Sequence, residues 1–499
     1  MDAGGRPLAH SANAAGYAHD LEQHLRDVAR RAADFARKFG AADFASWAGL
    51  WHDLGKYHPD FQAYLKDPSA TRGPDHSSAG AILAASHCDA LSFLIAGHHA
   101  GLPSFSHLKS RLAEKQKAEA TRIAHQIAGR ALGTLAPAER LDACLPEWAI
   151  PRNRSDGQRL RNRELYLRML FSALVDADFL DTERHFHPER VVERGGYFSL
   201  PELWRRFEED QEKLSGKHDT LLQHARHAIY QACLRAAELS PGWFRLTVPT
   251  GGGKTRSGMA FALRHALCHS GAFDRVIVAI PYTSIIEQTA KVYRDIFQGE
   301  GVLEHHSAVG DRDEEESPVT ARQQWARLAS ENWDAPIIVS TTVQLFESLF
   351  ANRPSKARKL HNLARSVLIL DEVQTLPPHL LDPVLDVLGQ LVEHYGVSVV
   401  LCTATQPSLG ANRYAKGLSG RLREIVPDPE RYFQALKRVE YETHMGEKWG
   451  WERVAEEMRT SPQALTVVNT KKDALALLTA LGEDPSALHL STQMCGAHR

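Results

Sequence analysis

From Asp20 to Phe39 apolar side chains fall at Leu21, Leu25, Val28, Ala29, Ala32, Phe35, Ala36 and Phe39, the 3.6-residue period of an amphipathic helix. At about 100° per residue His24 lies on the edge of that stripe, beside Val28 and Phe35, and His19 points the other way. Leu165 to Leu180 predicts a second helix, with Leu167, Phe171, Leu174 and Val175 on one face. Asp178 falls near the middle of that face and Asp176 nearly opposite. A carboxylate on an apolar face is costly unless it is paired or binds metal. Asp178 is therefore the candidate ligand, with a buried ion pair to an arginine as the alternative. Between these helices, Ser77 and Ser78 read as N-caps for a helix carrying Ile82 and Leu83. The apolar stretch Leu91 to Ile95 runs into Gly97-His98-His99-Ala100-Gly101.

The pattern changes further along. His185 to Tyr197 reads as linker, and Glu202 to Leu239 as a helical connector. Short continuous apolar runs then alternate with helical stretches: Phe244–Val248, Val276–Ile280, Ile337–Val339, Ser366–Leu370 and Val397–Cys402. Such runs suit strands covered on both faces. From about Val439 a second α/β unit is expected, with strands at Leu465–Val468 and Ala487–Leu490.

Bulk composition narrows the class. A chain of 499 residues exceeds one core, and 43% hydrophobic with 24% charged residues is that of a soluble globular protein. A formal charge of −2 gives no global basic field, so a nucleic-acid partner would need local patches. Arg152, Arg154, Arg159, Arg161 and Arg163 form one such cluster, readable equally as a solvated loop. The six cysteines are scattered without a Cys-x-x-Cys pair, which argues against a zinc ribbon or disulfide scaffold and fits the cytoplasm. No apolar run approaches the length of a bilayer span, so no membrane association is expected.

Candidate chemistry is concentrated in two places. In Trp51-His52-Asp53-Leu54-Gly55-Lys56 an imidazole and a carboxylate adjoin. Imidazole is a good transition-metal ligand, and a carboxylate has two oxygens with which to bridge two metals. His24, His76, His98-His99 and Asp178 supply further ligand types, although each alone also reads as an ordinary solvated or core side chain. The second place is Pro249-Thr250-Gly251-Gly252-Gly253-Lys254-Thr255, between a strand and a helix. Glycine N–H groups there can close on phosphates, Lys254 can reach the terminal ones and Thr255 can ligate magnesium. Asp371-Glu372-Val373-Gln374 ends a buried strand; Asp371 would hold magnesium and Glu372 would position the attacking water.

Together these residues resemble a known combination. Trp51-His52-Asp53-Leu54-Gly55-Lys56, Asp75-His76-Ser77, Gly97-His98-His99-Ala100-Gly101 and Ala177-Asp178 resemble the HD phosphohydrolase superfamily, and within it the nuclease domain of the CRISPR-associated helicase-nucleases of type I systems. The Pro-Thr-Gly-Gly-Gly-Lys-Thr loop resembles superfamily-two helicases. Pro281-Tyr282-Thr283-Ser284, Ser340-Thr341-Thr342-Val343-Gln344 and Thr403-Ala404-Thr405 resemble their DNA-gripping and coupling motifs. The resemblance implies two divalent metals, one held by His24, His52, Asp53 and Asp178, the other by Asp53, His76, His98 and His99, with Lys56 on the scissile phosphate. Imidazole-rich ligation permits manganese, iron, cobalt or nickel, with magnesium less natural; the motor would use ATP with magnesium. The implied fold is an all-α HD domain (1–190), a helical connector (191–240), an α/β RecA-like helicase lobe (241–430) and part of a second RecA-like lobe (431–499). The family pattern would run on past Arg499, so a truncated product is expected. The implied function is cleavage of single-stranded DNA coupled to an ATP-driven motor and recruited by an RNA-guided surveillance complex. A phosphohydrolase of small nucleotides, or an ATP-dependent DNA-binding fragment, is the alternative.

Overall fold

The computed structural model describes the chain except residues 1–4, 68–72, 138–139, 142–144, 154, 196, 215–219, 300, 307–319, 405–420, 445, 492–493 and 495–499, and the side chain of residue 284. Arg154, Gly196 and Thr405 of the readings above lie outside the described residues. The chain forms two compact units, Met1–Leu436 and Lys437–Arg499.

The first unit begins with an antiparallel ribbon, β1 (Leu8–His10) and β2 (His19–Asp20), leading into α1 (Leu21–Ala36). Asp20 caps α1 by accepting from Gln23 N, and the predicted stripe Leu21, Leu25, Val28, Ala32 and Ala36 is buried together with His24. Helices α2 (Ala42–Trp51), α3 (Pro59–Tyr64), α4 (Ser77–His87), α5 (Asp89–Gly97), α6 (Phe105–Lys115) and α7 (Glu119–Leu132) follow. The long α8 (Gly157–Phe186) closes the module, followed by the short α9 (Pro188–Glu193). The stretch read as linker therefore folds instead as the end of α8 and as α9, which Pro188 opens at a first helical position. At α4 the expected serine caps are replaced by Asp75, whose carboxylate accepts from Ser78 N (3.1 Å) and Ser78 Oγ (2.6 Å).

After α10 (Leu200–Leu214) and α11 (Leu221–Ala236) the chain builds a parallel sheet. Its strands are β3 (Trp243–Thr247), β4 (Arg275–Ile280), β5 (Val302–His305), β6 (Ile337–Thr341), β7 (Ser366–Leu370), β8 (Ser398–Thr403) and β9 (Arg423–Glu424), in the order β5-β6-β4-β7-β8-β3-β9. The crossovers include α12 (Lys254–Cys268), α13 (Thr283–Phe297), α14 (Ala321–Asn332), α15 (Thr342–Leu349), α16 (Pro354–Ala357) and α17 (Leu381–His394); α18 (Glu430–Ala435) ends the unit. Successive strand residues face opposite sides. Val276 and Val278 of β4, with Ile369 and Val400, join the core made with Phe207, Ile229, Phe261 and Ile286 of α10–α13. Ile277 and Ala279, with Leu368, Leu370 and Val399, join the same core as Ala32, Phe39, Tyr166 and Leu170 of the helical module. One face of the sheet thus shares its core with the module that carries the histidines.

Polar ties fix that junction. Asp176 is fully buried, not turned away from the core as helical phase predicted, because it meets Arg358 Nε (2.7 Å) and Asn332 Nδ2 (3.0 Å) across the junction. The arginine pair weighed for Asp178 belongs to Asp176 instead. Ser172 Oγ bonds His361 Nδ1 (3.1 Å), and Trp148 stacks on His394 with centroids 4.0 Å apart. In the basic cluster, Arg159 bonds the Glu147 and Ile150 carbonyls, and Arg161 pairs with Asp386.

The second unit contains α19 (Trp451–Thr460) and α20 (Lys471–Leu481), and no strand among its described residues. The expected strand residues Leu465, Val467, Leu488 and Leu490 are exposed instead. A strand needs a neighbour to take its backbone groups, and these two runs pair with none.

Two outcomes follow for stability. Arg358→Ala leaves Asp176 charged and buried, and should destabilise the chain by about 3–5 kcal/mol in denaturant unfolding. Trp333 Nε1 donates to His305 Nδ1 (2.8 Å), and burial, with Lys359 nearby, pushes the imidazole down to about 3. Its folded value lies below the unfolded one, so its contribution is whole above about pH 6.5 and is lost as pH falls, by up to about 1.4 kcal/mol per unit. His305→Gln, which keeps an acceptor for Trp333, should flatten the fall in unfolding free energy between pH 6.5 and 4.

Candidate functional site

Four helical turns converge on Asp53, which is 1% exposed. His52 caps the C-terminus of α2, and Asp53 opens the following turn. Gly55 N donates to His76 O (3.0 Å), and a Cβ at Gly55 would lie 2.4 Å from that oxygen, so only glycine lets the His52-Asp53 turn press against His76. Arg111 braces the other side of His76 by bonding Asp75 (3.2 Å) and Ser77 (2.7 Å). His98 caps α5, and His99 follows it. His24 comes from α1 and Asp178 from α8.

The Asp53 carboxylate divides its surroundings. Oδ2 faces His52 Nε2 (3.3 Å) and His24 Nε2 (3.6 Å); Oδ1 faces His98 Nε2 (3.3 Å) and His76 Nε2 (3.7 Å). Asp178 Oδ1 lies 3.5 Å from His24 Nε2 and 3.6 Å from His52 Nε2, on the Oδ2 side. His99 joins Asp53, His76 and His98 in a group whose ligand atoms lie within 4.8 Å of one another; His24, His52 and Asp53 form another, and His52, His98 and Asp178 a third. All seven expected ligands are therefore drawn to one pocket.

Hydrogen bonding fixes which ring nitrogen faces inward. Nδ1 of His52 bonds Gly49 O (2.7 Å), Nδ1 of His98 bonds Ile95 O (2.7 Å), and Nδ1 of His76 bonds Pro74 O (3.3 Å). A carbonyl only accepts, so each Nδ1 carries a proton, and Nε2 is the nitrogen of each ring that faces the centre. Nε2 of His24, His52, His76 and His98 and both oxygens of Asp53 are buried without a hydrogen-bond partner. Buried polar atoms left unpaired in a cluster are costly. Inward imidazole lone pairs with carboxylate oxygens are the donor set of a divalent transition metal, and the residues fit one.

Electrostatics agree. Burial disfavours charge on His52, but Asp53 and Asp178 outweigh it and hold its imidazolium up to about 10. The same burial raises Asp53 and Asp178, and their histidine neighbours pull both well below the usual carboxylate range. Burial pushes His76, His98 and His99 down, keeping them neutral. The pocket thus holds its carboxylates ionised and demands positive charge beside them. Lys56 supplies part of it. It is 4% exposed, with Nζ 2.6 Å from Asp53 Oδ2 and bonded to Ala9 O (3.1 Å). Both contacts hold its ammonium beside the Asp53 carboxylate.

Two neighbours were missed and a third was misplaced. Asp181, one turn beyond Asp178, accepts from His24 Nδ1 (2.8 Å); its spacing of three residues on a helix was the available signal. His10 and His19 lie on the ribbon against His24. His19 is 8% exposed and 3.4 Å from Asp181, so it does not point outward as expected. It belongs to β2, not to the helix whose phase was used. His24, and not His19, faces Asp53 and Asp178.

The second cluster sits at the carboxyl ends of β3, β7 and β8. Gly253 opens α12 after β3, and Lys254 Nζ is 2.9 Å from Asp371 Oδ1 and contacts Glu372. Burial lowers Lys254, but these two carboxylates prevail and raise it. Glu372 bonds Gln374 Nε2 (2.5 Å), and Gln374 accepts from Thr403 Oγ1 (2.9 Å), a chain from the glycine loop to the end of β8. Glu372 adopts φ of +48°, a strained backbone at the turn that aims its side chain. Thr250 and Gly251 are exposed at the tip of the loop, Gly252 is buried, and Thr255 is half-buried.

Comparison with known proteins assigns both clusters to modules. Residues 7–175 match the HD domain of Cas3, and residues 225–411 match the DEAD/DEAH box helicases. The chain is 27% identical to the CRISPR-associated nuclease/helicase Cas3 of Haloferax volcanii, over 80% of this chain and 51% of that protein. Crystal structures of T. fusca Cas3 share its fold. The ATP form gives a TM-score of 0.53 at 16% identity, over 88% of this chain and 52% of that one. The ADP form gives 0.52 at 17%, over 93% and 54%. The chain thus carries a Cas3-type HD domain followed by a DEAD/DEAH-type helicase domain, and spans about half the length of the curated relative it matches.

Proposed function

We propose that this chain is a metal-dependent single-stranded DNA nuclease joined to an ATP-driven DNA motor, acting in CRISPR interference in the cytoplasm on DNA opened by an RNA-guided surveillance complex. The observation that carries the nuclease reading is the division of Asp53, one oxygen toward His24 and His52 and the other toward His76 and His98. That is the geometry a carboxylate needs to bridge two cations. His24, His52, Asp53 and Asp178 would hold one, and Asp53, His76, His98 and His99 the other. So many imidazoles favour manganese, iron, cobalt or nickel over magnesium. Bound divalent ions supply a water of lowered pKa and charge stabilisation for a leaving oxygen.

The residues of this chain do the rest. The Nδ1 bonds hold the rings in place, Lys56 holds the Asp53 carboxylate, and burial keeps bulk water from its inner side. His99 and the half-buried His76 border the open side, where a strand can enter. In the motor, Thr250, Gly251, Gly252, Gly253, Lys254 and Thr255 would cradle the phosphates of ATP with magnesium. Lys254 would exchange its carboxylate partners for phosphate, leaving Asp371 to magnesium and Glu372 to the attacking water. The nuclease and motor modules correspond to residues 1–190 and 241–430, joined through 191–240, with 431–499 contributing to a second lobe.

Circular single-stranded DNA tests this reading. Cleavage should require a divalent metal and fall more than about 100-fold in Asp53→Ala. Lys254→Ala should lose binding of a fluorescent ATP analogue and keep metal-dependent cutting. Turnover of mononucleotides with indifference to DNA would overturn the proposal.

A further inference from the structure

Four of the pocket's histidines have their outer nitrogen held, and one is held differently. His52, His98 and His76 each give Nδ1 to a backbone carbonyl. His24 gives Nδ1 to the carboxylate of Asp181, at 2.8 Å from Oδ2. Asp181 is fully buried. Its Oδ1 is taken by Arg184 (2.6 Å), and its Oδ2 also lies 3.4 Å from His19 Nε2. Arg184 bonds Asp27 of α1 as well, so the carboxylate is clamped between α1 and α8. None of these outer groups reaches the centre of the pocket.

A carboxylate partner does two things to an imidazole that a carbonyl does less. It anchors the ring through a charge-assisted bond, and it raises the electron density on the opposite nitrogen. On His24 that opposite nitrogen is Nε2, which faces Asp53 Oδ2 and Asp178. The Oδ2 side therefore has Asp53, the nearer approach of Asp178 and a third carboxylate acting through His24, set against Lys56 Nζ at 2.6 Å from Oδ2, whereas no carboxylate backs a histidine on the Oδ1 side.

We infer that Asp181 is a positioning residue that makes the two cation positions unequal, so that the position shared by His24, His52, Asp53 and Asp178 fills first and binds more tightly. The inference rests on the two-cation reading above. It makes the His24 side the resident position and the His76–His98–His99 side the exchangeable one.

Manganese binding to the full chain, measured by calorimetry after chelation, tests it. The wild type should bind two ions in resolvable steps. Asp181→Asn, which preserves shape and removes charge, should weaken the tighter step by about 10–100-fold and leave the weaker step within about twofold. Arg184→Gln, which loosens the clamp without removing the His24 partner, should spare the tighter step; equal losses in both variants would mean a merely structural role and overturn the inference. Unchanged binding in Asp181→Asn would also overturn it. A wild type that binds no manganese, or one ion, would sink the two-cation reading itself. Should Asp181→Asn not fold, crystals of the wild type given one equivalent of manganese decide. Anomalous density beside His24 and Asp178 supports the inference, and density beside His76 and His98 refutes it.

Discussion

A carboxylate kept ionised in a buried pocket sets the terms for the first half of this molecule. Asp53 is buried, paired with Lys56, and held below its usual pKa by His52 and Lys56 against the pull of burial. An isolated buried charge is among the costliest things a fold can contain. Everything around it offsets that cost or exploits it. The turn after α2 delivers it, Gly55 lets His76 approach, and carbonyls at Gly49 and Ile95 turn two rings toward it.

The same helix that completes this pocket also ties it to the α/β sheet domain. On α8, Asp178 faces the histidines while Asp176 faces Arg358 and Asn332 of that domain. Two residues apart on a helix, the two carboxylates serve different domains. A second tie lies at the other wall of the pocket, where Leu102 N donates to Asn352 O (2.9 Å) just beyond His98-His99. Gly101, at φ of +100°, would place a Cβ 2.8 Å from that oxygen. The loop after His98-His99 and the loop after α15 are therefore in backbone contact, and the shared apolar core beneath α8 makes the helical module and the sheet one compact unit.

Much of this was legible in the residues, for identifiable reasons. Period-3.6 stripes located α1 and α8, and continuous apolar runs located β4, β6, β7 and β8, because burial on one face or both leaves a direct trace. Helical phase put His24 and Asp178 inward, where they are. It failed for Asp176 and His19, because phase describes one helix while their environment comes from another: a motor arginine for Asp176, a two-stranded ribbon for His19. Nothing local announces that Ala9 O will receive Lys56. The runs at Leu465 and Leu488 have strand character without a partner strand, a property of the sheet and not of the segment.

The central claim is that Asp53 joins two cations through its two oxygens. Electron paramagnetic resonance of the full chain saturated with manganese tests it most directly. A carboxylate bridge couples the two spins, so the account predicts an exchange-coupled spectrum that collapses to that of isolated ions in Asp53→Ala. A saturated wild type giving only the spectrum of isolated manganese would contradict it.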